Sequence, residues 1–404
     1  MYFDISSILF EDLPYITLLK EVLLNVSTNK FELRKLNNIV KTYLGSLSFS
    51  HVTYPKNNNE YKSYVKLSAS CLKENVNYIP LVVNEVLYHS KFTKKEVKQI
   101  IAQIINRLKK GIIENGTMVA INMASSVYDK TAALSTNTSY GPKVLQFFTN
   151  LLKDYDHVSV NRKLKEICLK LFNKPNCIIS MSGDESCRVE LKNAVKQIKL
   201  LRKSYDKVLD VKLSSKEDVA LVIPSGVSYN SLVGSLEQIG EQYHGSAAVL
   251  AQIVNYDYLW NEIRVKGGAY GCSLSINRNN MVCFGSYRDP NVKNTYEVFK
   301  NIVNYLENFK PTKQQFNSYV IGSMSGFDRP MSIPSFIEVA DAYYFNNVSL
   351  KEKVRRKKEV LKTKYEDVIK YKDVFIKLLN NYSCYTIGNV DKIKEINFDK
   401  VESL

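Results

Sequence analysis

A repetition within the chain limits the folds that it can adopt. Three segments of the first half resemble three segments of the second half, in the same order and about 200 residues apart. The pairs are TYLGSLSFS (42–50) with AYGCSLSIN (269–277), FTKKEVKQII (92–101) with PTKQQFNSYV (311–320), and NCIISMSGD (176–184) with SCYTIGNVD (383–391). The second pair predicts helices that start at Thr93 and Thr312, and the third pair predicts strands. Because three ordered matches are typical of a duplicated unit, the sequence predicts two tandem homologous domains.

Both copies mix strand-like and helix-like patterns. In the first copy, residues 63–71 alternate as a half-buried strand does, and residues 94–113 have helical periodicity after Thr93, a candidate N-cap. In the second copy, residues 245–264 predict a helix, and residues 271–291 predict a hairpin turning at asparagines 279 and 280. These patterns predict an α+β fold with helices packed on mainly antiparallel sheets.

The boundary between the copies is predicted from composition. The segment 199–219 is polar and charged, which favours a linker. We therefore expect one α+β domain at 1–205 and a second at 206–404.

The net charge of +16 does not by itself identify a partner. The densest basic run, residues 350–373, also contains acidic residues, among them Glu352, Glu359, Glu366 and Asp367, at spacings that allow ion pairs along a helix. No RNP-type aromatic motif, zinc finger or Gly-Lys-Ser/Thr phosphate loop accompanies the charge, so we expect no nucleic-acid partner. A basic nucleic-acid binder stays an alternative on net charge alone, and it would show a steep salt dependence of binding.

Other features bear on the cellular setting. No run of about 18 apolar residues occurs, so no membrane span is expected, and the first 20 residues lack the pattern of a signal or transit peptide. The seven cysteines form no CxxC pair, which indicates a reducing compartment and neither a disulfide framework nor a zinc site. The sequence does not distinguish the cytoplasm from an organelle matrix.

The stretch RVKGGAYG (264–271) follows a predicted helix and precedes a predicted strand. One interpretation is structural: Arg264 neutralises the helix C-terminus, Gly267 and Gly268 cap it, and Tyr270 packs in a core. The other is functional. A guanidinium can hold a peptide carbonyl and a phenol can donate to a developing oxyanion, but neither generates a nucleophile.

No source of that nucleophile is recognisable in the chain. The four histidines are His51, His89, His157 and His244, and none belongs to an H-E-x-x-H or H-x-x-E-H zinc motif. There is no G-x-S-x-G elbow either. The sequence therefore predicts no metal ligand here and only part of a catalytic apparatus.

Two stretches, one of which includes RVKGGAYG, resemble a known protein family. YLWNEIRVKGGAYG (258–271), followed by GSYRDPN (285–291), resembles the C-terminal half of the presequence protease and falcilysin branch of pitrilysin/insulinase zinc metallopeptidases. The resemblance extends through EDLPYITLLKEVL (11–23), VIGSMSGFDRP (320–330) and VRRKKEVLKT (354–363), and so covers almost the whole chain.

The resemblance implies a fold and a role for the chain. Its domains would be the third and fourth of four pitrilysin-type α+β domains, which form two halves that close around unstructured peptides. Arg264 and Tyr270 would be the catalytic and substrate-binding residues, with Gly267 and Gly268 in the substrate-binding turn. The zinc ion and the glutamate base would belong to an N-terminal half, so this chain alone is expected to be inactive.

Two forms of the whole enzyme fit the resemblance. The chain is either an excised or separately encoded half of a one-chain enzyme, which we favour, or the zinc-less subunit of a heterodimer. A different class of function also stays open, a non-catalytic scaffold that keeps the fold. A scaffold predicts that Arg264 and Tyr270 are buried or held in salt bridges and that no groove remains.

Overall fold

The computed structural model describes residues 1–56, 60–139, 141–327 and 330–404. The segment 320–330 quoted above includes residues 328–329, which lie outside the described residues. The strands are β1 (Tyr2–Asp4), β2 (Ser46–Pro55), β3 (Tyr61–Ser70), β4 (Cys177–Ile178), β5 (Val219–Val222), β6 (Tyr229–Ser235), β7 (Gly271–Ile276), β8 (Met281–Tyr287), β9 (Tyr382–Gly388) and β10 (Lys400–Ser403).

Most of the chain between these strands is helical. The α-helices are α1 (Leu13–Leu24), α2 (Leu33–Tyr43), α3 (Tyr78–His89), α4 (Lys94–Glu114), α5 (Gly116–Ser125), α6 (Lys130–Thr138), α7 (Pro142–Lys153), α8 (His157–Leu171), α9 (Arg188–Lys196), α10 (Ser246–Ile253), α11 (Lys293–Lys300), α12 (Ile302–Asn308), α13 (Lys313–Met324), α14 (Ile333–Phe345), α15 (Leu350–Leu361), α16 (Tyr365–Ile369), α17 (Tyr371–Leu378) and α18 (Val390–Ile393). Helix α10 continues directly into a π-helix, Val254–Lys266. In the ranges described, no helix combines the length and apolar character that crossing a membrane requires.

The strands form two sheets whose orders correspond. Within the described residues, the order is β2-β3-β1-β4 in the first sheet and β10-β5-β9-β6-β8-β7 in the second. Read from its β7 edge, the second sheet begins β7-β8-β6-β9. These four strands can be matched in turn with β2, β3, β1 and β4, so the strand order of the first sheet recurs within the second. The pairing directions agree, because β1 is antiparallel to β3 and β4 as β6 is to β8 and β9. The predicted α+β fold is confirmed, and the recurrence supports a duplication.

The first compact unit comprises residues 1–54, 62–110 and 137–211. Phe3 of the short central strand β1 packs edge-to-face on Phe172, with ring centroids 5.0 Å apart. Lys163 of α8 pairs with Asp12 at the start of α1, 2.9 Å away. Aromatic packing and this half-buried ion pair thus join helices to the sheet and to each other.

The second compact unit comprises residues 55–61, 111–136 and 212–404. It therefore takes α5 from the first half of the chain, while the homologous domains at 1–205 and 206–404 stay a prediction. On one face of its sheet, the Thr117 hydroxyl donates to the Ser286 carbonyl at 2.6 Å. On the other face, the Phe284 ring lies 5.2 Å from Phe299. Because helices cover both faces, β6 is buried along its whole length.

Several local predictions are confirmed. The Thr93 hydroxyl accepts the Glu96 N–H at 3.3 Å, as expected of the N-cap of α4. Thr312 and Gln315 form a capping box at the start of the corresponding helix, α13. Strands β7 and β8 form the predicted hairpin, with Asn280 at a φ of 64° in its turn. Helix α15 has the ion pairs expected of a solvated basic helix, including Arg356 with Glu352 at 2.7 Å.

Two local predictions differ from the structure. The predicted helix at 245–264 is an α-helix only to Ile253 and a π-helix beyond it. Ile253, Tyr258 and Ile263 are buried at every fifth position, a spacing that suits the wider π turn better than an α turn. The predicted strand at 176–184 is reduced to Cys177 and Ile178, because the three-residue β1 pairs with those two residues.

The edge strand β7 is covered along its middle by one side chain. Asn255 of the π-helix donates to the Leu274 carbonyl at 3.0 Å and accepts the Leu274 N–H at 2.6 Å. An open strand edge invites pairing with another chain, and blocking it is a common protection. The Asn255 amide therefore takes the place of a neighbouring strand at Leu274.

Candidate functional site

The residues singled out from the sequence lie where the π-helix ends and β7 begins. Arg264 is in the last turn of the helix, Tyr270 directly precedes the strand, and Gly267 and Gly268 lie between them. The structure thus brings all four predicted site residues into one turn.

The Arg264 side chain lies between two aromatic rings. Its guanidinium carbon is 4.1 Å from the centroid of the Trp260 ring and 5.7 Å from that of Tyr270. Such cation–π contacts contribute about 0.5–1 kcal/mol each at exposed sites. Over the part of the chain that the structure describes, Arg264 makes no ion pair with a carboxylate. The rings fix the guanidinium in place and leave its N–H groups available to a ligand.

Two glycines allow the chain to reverse between Arg264 and Tyr270. Gly268 has a φ of +79°, which favours glycine, and a Cβ on Gly267 would lie 2.6 Å from the Ile263 carbonyl oxygen. The Gly268 N–H donates to the Arg264 carbonyl at 3.0 Å and the Ala269 N–H to the Ile263 carbonyl at 3.1 Å. This pair of bonds is a Schellman arrangement widened by one residue, as the π-helical spacing requires.

The Tyr270 side chain is 66% exposed although its backbone is held firmly. Its N–H donates to the carbonyl of Tyr287 at 3.1 Å and to that of Arg288 at 3.3 Å. The Tyr270 ring contacts the Tyr287 ring edge-to-face, with centroids 5.8 Å apart. The phenol hydroxyl is therefore presented to solvent from a fixed base.

A buried carboxyl group supports the glycine turn. Asp289 is fully buried and accepts hydrogen bonds from the Thr295 hydroxyl at 2.7 Å and the Asn291 N–H at 2.9 Å. The Asn291 side-chain amide in turn donates to the Gly267 carbonyl at 2.6 Å. Burial raises the pKa of Asp289, and the hydrogen bonds it accepts lower it in part. The loop after β8 therefore fixes the turn.

The thiol nearest the site is not activated. Burial raises the pKa of Cys272 to about 11, with a further increase from Asp289 and a decrease from Arg264. At neutral pH the thiol is therefore protonated, and a thiol is a poor nucleophile compared with a thiolate.

Histidines do not converge on a metal site. Among the residues that the structure describes, no group of three or more histidine, cysteine, aspartate or glutamate side chains can hold a metal ion. The ring nitrogens of His51 bond to the hydroxyls of Thr138 and Ser63 at 2.8 and 2.7 Å. His244 Nδ1 bonds to the Ser246 hydroxyl at 2.8 Å. The residues that the structure describes therefore do not fit a bound zinc ion.

Among the described residues, a cavity of about 800 Å³ lies apart from this turn. It is an open groove on another side of the π-helix, lined by Asp257, Asn261 and Glu262 of that helix and by asparagines of α12 and the turn before it. Neither Arg264 nor Tyr270 lines it. The candidate site is thus a surface-exposed turn.

Sequence reasoning missed several residues that build this turn. Trp260 is the sole tryptophan and lies four positions before Arg264, which is a usable signal on a helix. Tyr287, Arg288 and Asn291 lie in the quoted segment SYRDPN, but their contacts with the glycine turn depend on the strand pairing.

Two family models match the chain. The model of the region associated with subfamily C of the M16 peptidases matches residues 1–151, and the model described as "PreP C-terminal domain" matches residues 218–393. The chain corresponds to the C-terminal region of presequence proteases, in subfamily C of the M16 peptidases. The resemblance found in the sequence is confirmed.

Curated relatives agree with this assignment. The chain is 29% identical over 399 residues to Protein HypA of Clostridium perfringens, covering 98% of this chain and 41% of that protein. It is 24% identical over 381 residues to presequence protease 1, chloroplastic/mitochondrial, of Arabidopsis thaliana, covering 90% of this chain and 34% of that protein. The chain thus spans about two fifths or less of the length of these relatives.

Solved structures share the fold. A peptidase M16 inactive domain from Pseudomonas fluorescens matches with a TM-score of 0.63 and 14% identity, covering 92% of this chain and 87% of that one. Pitrilysin matches with a TM-score of 0.60 and 13% identity, covering 97% of this chain and 40% of that one. The predicted pitrilysin-type fold is confirmed.

Proposed function

We propose that this chain is the zinc-less C-terminal half of a peptide-degrading zinc metalloendopeptidase. In this role it closes the substrate chamber and supplies Arg264 and Tyr270 for substrate binding and oxyanion stabilisation. The observation that carries the proposal is the pair itself, in which a half-buried arginine without a carboxylate partner among the described residues lies beside a solvent-facing phenol.

Each side chain suits one part of this role. The Arg264 guanidinium keeps its charge at any physiological pH and can donate to a peptide carbonyl oxygen. The Tyr270 hydroxyl can donate to the oxygen that becomes negative when the carbonyl is attacked, and one such donor typically lowers the barrier by about 2.7–4 kcal/mol. Neither group supplies a nucleophile, so catalysis needs a partner.

The glycine turn suits a backbone ligand. Gly267 and Gly268 place no side chain between Arg264 and Tyr270, so a peptide can approach the turn closely. We assign both glycines to substrate binding on this ground.

The partner would be a zinc-bearing N-terminal half, in the same or a separate polypeptide. The correspondence to a C-terminal region and the 41% coverage of Protein HypA support this. Unstructured peptides would be the substrates, and this chain alone would be inactive.

A non-catalytic subunit or scaffold of a pitrilysin-family heterodimer is the second candidate. The neighbour described as a peptidase M16 inactive domain is compatible with it. A scaffold, however, does not require an arginine without a carboxylate partner among the described residues beside a phenol that is 66% exposed. The basic nucleic-acid binder retains only the net charge in its favour.

Reconstitution tests the proposal. The chain is mixed with the zinc-bearing N-terminal half of a presequence protease, association is verified by size-exclusion chromatography, and cleavage of a quenched fluorescent peptide is followed. We expect activity in the mixture and in neither part alone. An associated but inactive complex would favour the scaffold, and chelator-resistant activity of this chain alone would contradict both.

A further inference from the structure

Arg288 adopts a backbone conformation that its residue type rarely takes. Its φ is 47°, and the other non-glycine residues with positive φ in the described ranges are Asn280 and Asn347. Asparagine tolerates the left-handed region because its short side chain can hydrogen-bond locally, an option that arginine lacks. The surrounding structure must therefore impose this conformation on Arg288.

Hydrogen bonds on both sides of Arg288 impose it. The Arg288 carbonyl accepts the Tyr270 N–H at 3.3 Å. The next residue, Asp289, exchanges two backbone hydrogen bonds with Ser228, at 2.7 and 2.8 Å, and its carboxyl group is buried. The backbone of Arg288 is thus fixed beside that of Tyr270, while its side chain is exposed.

The exposed side chain extends the candidate site. The Arg288 guanidinium lies 5.5 Å from the centroid of the Tyr287 ring, which contacts the Tyr270 ring at 5.8 Å. Arg264 lies 5.7 Å from the Tyr270 ring. Two guanidinium groups therefore flank a pair of contacting tyrosine rings. Within the described chain, neither group makes an ion pair with a carboxylate.

We propose that Arg288 binds a carboxylate of the peptide whose backbone Arg264 and Tyr270 contact. This inference rests on the proposed function. A planar guanidinium matches a carboxylate with two parallel hydrogen bonds, and stacking on a ring limits the orientations it must lose on binding. The C-terminal carboxylate and an acidic side chain present the same chemistry, and the experiment separates them.

Arg288 also has a structural contact that the experiment must account for. Its positive charge near Tyr229 lowers the pKa of that phenol, against the larger increase from burial. If this contact were its whole role, removing the guanidinium would affect binding of every peptide equally.

The experiment uses the intrinsic fluorescence of Trp260, the sole tryptophan, to measure Kd for peptides without tryptophan. Three peptides share one sequence free of aspartate and glutamate: one has a free C-terminus, one is amidated, and one is amidated with a single glutamate added. The variant Arg288→Asn removes the guanidinium and keeps a residue type suited to positive φ. Arg278→Asn, at the other end of the β7–β8 hairpin, removes the same charge as a control.

We expect the wild-type chain and Arg278→Asn to bind one carboxylate-bearing peptide about tenfold more tightly than the amidated peptide. Arg288→Asn should lose this preference and bind the amidated peptide as the wild type does. A preference that persists in Arg288→Asn, or an equal loss for all three peptides, would overturn the inference while leaving the proposed function intact. If the wild-type chain bound none of the peptides, the proposed function would lose its support and this inference with it.

Discussion

The Asn291 side-chain amide donates a 2.6 Å hydrogen bond to the carbonyl of Gly267. This bond joins the loop after β8 to the turn that separates Arg264 from Tyr270. Asn291 is itself held by Asp289, which accepts its N–H at 2.9 Å. The geometry of the candidate site therefore depends on a residue that has no direct chemical role.

We expect Asn291→Ala to lower the free energy of unfolding by about 1 kcal/mol, the usual net contribution of one hydrogen bond. The loss of this tether should also loosen the turn and weaken peptide binding. Urea denaturation and Trp260 fluorescence titration measure the two effects. Asn308→Ala, which removes an exposed amide bonded within its own helix, is the matched control. Equal behaviour of the two variants would show that the tether is unimportant.

Alanine substitutions in the glycine turn should destabilise the chain in a defined order. At Gly267 the new Cβ would lie 2.6 Å from a backbone oxygen, so this variant should lose the most stability. At Gly268 the φ of +79° costs about 1 kcal/mol for alanine. Gly226→Ala, with nothing within 4 Å of its Cβ, should be neutral or slightly stabilising. Unfolding in urea gives the free energy of unfolding of the three variants. If Gly267→Ala were as stable as Gly226→Ala, the close approach between position 267 and the Ile263 carbonyl oxygen would be refuted.

Arg264 should contribute to peptide affinity even without an N-terminal half. Replacing it with alanine removes a charge-assisted hydrogen bond, so Kd should rise about tenfold or more. Trp260 fluorescence reports binding directly, because the guanidinium lies 4.1 Å from its ring. Arg278→Ala removes the same charge from an exposed hairpin turn and should leave Kd near the wild-type value. A parallel rise in both variants would indicate nonspecific attraction by the basic surface.

His51 should make the chain sensitive to acid. Burial, followed by the charge of Lys20, lowers the pKa of His51 from 6.5 to about 3. Because the folded pKa is depressed, His51 contributes its full stability above pH 6.5 and loses it as the pH falls from 6.5 to 3. The slope is about 1.4 kcal/mol per pH unit across that window.

Urea denaturation at several pH values measures this slope. His51→Gln should flatten it, whatever the variant's absolute stability. His89→Gln, which replaces an exposed histidine, should leave the slope unchanged. An identical pH dependence in wild type and His51→Gln would contradict the lowered pKa of His51.

The sequence predicted the elements better than it predicted the packing. Thr93 and Thr312 identified helix starts because N-capping is a local interaction. The π-helix was missed because apolar residues at every fifth position were read as an ordinary helix. The place of α5 against the second sheet was also missed, since it depends on contacts between segments far apart in the chain.

In the candidate site, too, local features could be predicted from the sequence and long-range packing could not. Arg264, Gly267, Gly268 and Tyr270 stood out because their types and spacing suggest a tight turn with two chemical groups. The left-handed Arg288 was not foreseeable, because arginine has no preference for that conformation.

Of the residue roles that we propose, oxyanion stabilisation by Tyr270 during peptide cleavage is the most important. The most direct test is the kcat of Tyr270→Phe in the complex with a zinc-bearing N-terminal half, with Tyr256→Phe, another exposed tyrosine, as the control. We expect kcat to fall about 10²-fold or more with KM little changed, because the hydroxyl acts in the transition state. A kcat equal to that of the wild type would contradict it.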